Sequence, residues 1–211
     1  MIHDPLKPFR RLVHDDCCWS PIVCVSFLRG VGPAEVVRRF GGTSPGRREE
    51  FEVFDDLVYD FVQATDGGEG SGHVGVIEAG GSSVAIEPHG WSAALREVAT
   101  RLSRDGAELV VVSRHDYAEH TFLHARDGAV LIEFIPHSPD RRHGCAPDAL
   151  NDLMREVGLD PDYEADDDTW PDLMAGGVTR AFALAAKITG VVLEPEHLAG
   201  PLYVGAINDL V

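Results

Sequence analysis

The chain of 211 residues carries 35 aspartates and glutamates against 18 lysines and arginines, a formal net charge of −17. Its hydrophobic fraction of 44% is enough to bury a core, which excludes global disorder. A surface this acidic repels phosphate backbones and anionic headgroups, which argues against nucleic acid and membranes as partners and for a basic protein.

Size suits a single domain over 1–211: a polar leader at 1–16, a sheet-containing core at 17–136 and a helical C-terminal part at 146–211. The opening MIHDPLKPFRRLVHDD has no apolar stretch before a cleavage site, so a cytoplasmic location is expected. Apolar runs such as Leu109–Val112 are strand-sized, and none approaches the ~20 residues of a spanning helix. Cys17, Cys18, Cys24 and Cys145 form no disulfide framework and are expected reduced. A zinc site using them with His14 or His143 lacks the usual ligand spacing, and no metal or cofactor is expected.

In chain order, PIVCVSFLRG predicts a strand ending at Gly30, and GPAEVVRRFGG a short helix with Pro33 in its first turn. TSPGRREE is expected as loop. In EEFEVFDDLVYDFVQA, Phe51, Phe54, Val58 and Phe61 approach helical spacing, although the composition also permits a strand. HVGVIEAGGSSVAIEP predicts a hairpin, and GWSAALREVATRLSRDG an amphipathic helix with Trp91, Leu95, Val98 and Leu102 on one face. Ala107–Ser113 is an apolar strand, and HTFLHARDGAVLIEFIP a hairpin about Asp127–Gly128. Helices are expected from Pro147 to Val157, over Val178–Ile188 and, briefly, in PEHLAGPLYVGAI. This order predicts an α+β fold: a mostly antiparallel sheet with a βαββαβ-like core, an added hairpin and C-terminal helices.

The corner SSVAIEPHGW is explained structurally at Pro88, Gly90 and Trp91: strand end, turn and a ring packed over the sheet, with Ser92 as the expected N-cap. Glu87 and His89 are not, and could serve as an acid and a base.

The motifs SVAIEPHGW, LSRDGAELVVV, FLHARDGAVLIEFIPHSPDRRHG and ALAAKITGVVL resemble an actinobacterial domain of unknown function. The shared pattern is an I-E-x-x-G-W corner, an L-S-x-x-G helix end, an A-x-D-G hairpin and a T-G-V-x-L segment. The resemblance runs from about Trp19 to Leu193 and implies one coherent domain of a cytoplasmic bacterial protein. It implies no reaction.

A two-residue turn at Asp127–Gly128 would set His124 opposite Leu131 and Phe122 opposite Glu133. Leu123, Ala125, Val130, Ile132 and Phe134 would then form the core face, leaving His120, Phe122, His124 and Glu133 on a mixed outer face suited to a protein partner. His120 and His124 are separated by ~13 Å of strand rise, too far to ligate one ion without help from His115 or His137. The acidic loop with Asp166, Asp167 and Asp168 ends at Trp170, an aromatic anchor in acidic surroundings. Arg141, Arg142 and His143, placed before a helix N-terminus, could hold an anion, with Cys145 a nucleophile beside them. No G-x-S-x-G, H-E-x-x-H, P-loop or dinucleotide fingerprint is present. The expectation is a non-enzymatic interaction domain, in a specific form an immunity-type inhibitor of a basic protein. The alternative is a small-ligand binder or enzyme using Arg141–Cys145 or Glu87 with His89.

Overall fold

The computed structural model describes residues 4–10, 12–13, 21–42, 47–115, 117, 120–164 and 170–208. Among these, nine strands form one sheet: β1 (Val23–Arg29), β2 (Arg47–Glu49), β3 (His73–Ala79), β4 (Ser82–Pro88), β5 (Glu108–Arg114), β6 (Thr121–Arg126), β7 (Ala129–Ile135), β8 (Ser138–His143) and β9 (Leu202–Ala206). Their spatial order is β2-β9-β3-β4-β1-β5-β6-β7-β8, and all neighbours run antiparallel. The α-helices are α1 (Lys7–Arg10), α2 (Pro33–Arg39), α3 (Phe51–Ala64), α4 (Arg96–Leu102), α5 (Asn151–Glu156) and α6 (Trp170–Thr189). The class is α+β, as expected.

Alternation along the strands feeds two separate cores. Val25, Phe27, Ile86, Val110, Val112 and Phe122 face Phe54 and Val58 of α3, Met154 of α5 and Phe182 and Leu184 of α6. Cys24, Leu28, Val76, Ala85, Leu109 and Leu123 face Val36 and Val37 of α2 and Val98 and Leu102 of α4. Burial on both faces is why β1, β4 and β5 contain near-continuous apolar runs. The ambiguous segment from Phe51 is a helix because Phe54 and Val58, one turn apart, supply its buried stripe.

The β6–β7 turn falls at Asp127 and Gly128, both left-handed with φ of 50° and 77°, the backbone of a type I′ hairpin. Beyond Ala125↔Val130 the register shifts, so that His124 lies opposite Ile132 and Phe122 opposite Phe134. Leu131 is the extra residue of a bulge. The expected single core face is therefore corrected: Leu123, Ala125 and Val130 enter one core, while Phe122, Ile132 and Phe134 enter the other.

Several expected boundaries also change. The helix after Trp91 is a 3-10 turn, Ser92–Ala94, then an extended Leu95 and α4, which leaves Leu95 exposed. RRE of the expected loop is β2, and SPDRRH is β8 rather than the lead-in to a helix. The helix expected from Pro147 begins at Asn151, while α6 starts before Val178. PEHLAGPLYVGAI supplies a 3-10 turn, Pro195–Leu198, and then β9, which inserts between β2 and β3. Gly205 allows this: a Cβ there would stand 2.1 Å from Val37 Cγ1 of α2.

Candidate functional site

Glu87 stands one residue before the end of β4, fully buried. Its carboxylate accepts from the amides of Ser92 (2.9 Å) and Ala93 (3.0 Å), satisfying the first free N–H groups of the 3-10 turn. The cap is thus supplied from upstream: the N-cap position is Trp91, which makes no side-chain cap bond, and Ser92, the expected cap, is the first residue of the turn. Burial raises the Glu87 pKa above the ordinary carboxylate value, although those amides oppose the shift. The Cys24 thiol, opposite Glu87 on β1, is raised by burial and then by the carboxylate, so it is no nucleophile. His89 takes the left-handed conformation at the corner, φ 57°, and its amide donates to Ile22 O. Gly90 is needed for close approach: a Cβ there would lie 2.5 Å from Ser71 Oγ. These are the parts of a folded corner.

The four hairpin residues expected on an outer face separate. Phe122 is fully buried, its ring 4.9 Å from Phe134, so its surface position is corrected. His124 is buried too, its Nε2 3.1 Å from Glu108 Oε1, and burial lowers its pKa despite that carboxylate. Glu108 also pairs with Arg29, whose guanidinium donates to the α6 carbonyls of Ile188 and Thr189. Glu133 faces the other layer and pairs with Arg96 at 2.8 Å. His120 leaves this group for a histidine cluster: the His115 amide donates to its Nδ1 at 3.2 Å, and its ring lies 6.0 Å from that of His137. Burial, then His137, lowers its pKa to about 4. Among the described residues no three His, Cys, Asp or Glu side chains are arranged to hold a metal ion.

Arg142 is a structural staple. Its guanidinium donates to the carbonyls of Pro139, Pro147 and Pro161 and to Asp148, fastening β8 to the start of the acidic loop. Arg141 and His143 are exposed, and Arg141 lies 3.8 Å from Asp140. The exposed Cys145 faces a groove with Arg96, Glu97 and Thr100, to which Arg141, Arg142 and His143 contribute nothing. The expected anion and nucleophile groups do not converge. Asp166, Asp167 and Asp168 lie outside the described residues, as do Cys17, Cys18 and His14; Trp170 is the first residue of α6.

A strongly acidic surface that sequence reasoning did not single out lies on α3. Glu52, Asp56 and Asp60 recur at i, i+4 and i+8 on its exposed side, flanked by Val53 and Tyr59, 46% and 57% exposed. Glu50, Glu52, Asp56, Asp60, Asp66 and Glu69 form no ion pair among the described residues. Like charges one turn apart repel, so this ridge destabilises its own helix. Asp55 beside it is raised by partial burial, with Asp56 adding to the shift and His89 opposing it. The signal was available: no lysine or arginine occurs between Arg48 and Arg96.

No helix among the described residues is long and apolar enough to cross a membrane. The chain matches no curated protein and no solved structure. A family model described as a family of unknown function, DUF6461, matches residues 16–209, and the chain belongs to that family.

Proposed function

We propose that the protein is a non-catalytic, cytoplasmic interaction domain that docks a basic protein on the acidic face of α3. The observation that carries this is the Glu52–Asp56–Asp60 ridge, which no cation among the described residues neutralises and which two exposed apolar side chains border. A basic partner would relieve the repulsion, bury Val53 and Tyr59, and be steered to the site by the net charge of −17. Support against the enzymatic alternative comes from Glu87, spent on a cap, and Arg142, spent on backbone carbonyls. In its specific form the domain is an immunity-type inhibitor that masks a basic toxin, in an actinobacterial cell. The βαββαβ core belongs to the same proposal; the spatial order β3-β4-β1-β5, with α2 and α4 packed in one layer, supports it.

The test is affinity capture from lysate of the source cells at low and high salt, followed by reconstitution with the purified captured protein. The proposal expects a basic protein, stoichiometric and released by salt, that a Glu52→Gln/Asp56→Asn/Asp60→Asn variant does not hold. Equal capture by that folded variant would refute the α3 assignment, and recovery of the bare protein would refute the docking role.

A further inference from the structure

On the opposite side of the sheet from α3, a groove of 420 Å³ opens at the end of β5 and β6, lined by Trp91, Ala94, Leu95, Ser113, His115 and Thr121. This lies within the usual small-ligand range of about 300–1,000 Å³. Among the described residues no aspartate, glutamate, lysine or arginine lines it, in a chain of net charge −17.

The walls are aromatic. The Trp91 and His115 rings stand 6.0 Å apart at 66°, which forms a corner where a third flat ring can stack on one and meet the edge of the other. Tyr117, 80% exposed, lies 5.4 Å from His115 at 30°, extending the aromatic rim outward. The floor is a cross-strand pair of hydroxyl residues, Ser113 and Thr121. Ser113 stands opposite Cys24 across the β1–β5 pair, and its hydroxyl oxygen can accept from a donor in the groove.

We propose that this groove binds an uncharged, planar heteroaromatic ligand with hydrogen-bonding edges, of nucleoside size. The rings supply stacking, the two hydroxyls read an edge, and the lack of a lining cation among the described residues, in a chain of net charge −17, disfavours phosphorylated forms. The site is independent of partner docking on α3.

The test is calorimetric titration of the full chain with adenosine, guanosine and uridine, repeated with the 5′-monophosphate of whichever binds best. Expected are saturable binding of at least one nucleoside and at least tenfold weaker binding of its monophosphate. Trp91→Ala, and Thr121→Val, which keeps the shape and removes the hydroxyl, should each weaken binding at least fivefold, while the α3 charge variant leaves it unchanged. No saturable binding of any of the three, equal binding of the monophosphate, or unchanged binding in a folded Thr121→Val variant would overturn the proposal.

Discussion

Replacing Glu87 tests whether this fully buried carboxyl group is an architectural cap. Alanine would leave the Ser92 and Ala93 amides without an acceptor in a buried position. Each buried donor left unsatisfied costs about 1–3 kcal/mol, and removing a desolvated carboxylate returns part of that, so a net loss of about 3 kcal/mol is expected for Glu87→Ala. In a chain of this length that corresponds to a fall in Tm of roughly 6–12 °C. Glu87→Gln keeps the volume and one acceptor, and should lose about 1–2 kcal/mol. Its pH dependence is diagnostic, because burial raises the Glu87 pKa in the folded state. The folded protein then holds this proton more tightly than the unfolded chain. Stability from this site is therefore greatest at low pH, declines as pH rises from the ordinary glutamate range through the raised value, and levels off above it. Glu87→Gln lacks that decline, so the advantage of wild type over the variant should grow on acidification. Urea unfolding followed by circular dichroism at several pH values reads all three quantities. A loss below about 1 kcal/mol for Glu87→Ala at neutral pH would refute the cap and return Glu87 to the list of candidate acids.

Asp56→Lys on α3 converts two repulsive i, i+4 contacts, with Glu52 and Asp60, into attractive ones; it should stabilise the free protein by about 1 kcal/mol in urea unfolding while weakening capture of the basic partner. Phe122→Ala should cost about 3–5 kcal/mol, because a fully buried ring against Phe134 is lost, and should leave partner affinity of the folded fraction unchanged in calorimetry. The depressed His120 pKa, about 4, means that the folded state resists a proton that the unfolded chain takes up below about 6.5; stability should fall as pH drops across that window, and His120→Asn should flatten the slope of a chemical-denaturation series.

What the sequence disclosed was what its local patterns encode. The Pro33 helix, the Gly80–Gly81 and Asp127–Gly128 hairpins and the apolar strands were legible because period and turn chemistry are read within a dozen residues. Strands β8 and β9 were not. SPDRRH is an edge strand whose proline and charges suit an unpaired edge but resemble a loop, and LYVGA becomes a strand only because β2 and β3, distant in the chain, flank it. The bulge at Leu131 has no sequence mark, yet it brings Ile132 and Phe134 onto the face of Phe122, which is core because helices cover that side of the sheet as well. The aromatic groove was hidden for a similar reason, since Trp91 meets His115 and Thr121 only through the sheet. The acidic ridge, by contrast, was written in the spacing of Glu52, Asp56 and Asp60 and was overlooked beside the denser run Asp166–Asp168.

The placement of the cations sharpens the case for α3. Arg29 donates to the last carbonyls of α6, Arg39 to Leu102 O at the end of α4, Arg114 to Val13 O and Pro21 O, and Arg142 to three proline carbonyls. Guanidinium groups committed to helix ends and loop backbones hold the fold together but cannot move to neutralise a distant helix. Arg39 and Arg142 are moreover largely buried, so the surface holds fewer than the 18 cations of the sequence, and the deficit falls on the stretch between Arg48 and Arg96. Residues four apart on a helix are about 6 Å from each other, inside the Debye length of about 10 Å at 0.1 M salt, so moderate salt screens this repulsion only in part. Raising salt further should therefore stabilise the free protein and weaken its complex. A ridge serving only solubility would show the first effect without the second. Measuring Tm and partner affinity across one salt series separates the two roles, and an affinity indifferent to salt would end the case for electrostatic docking.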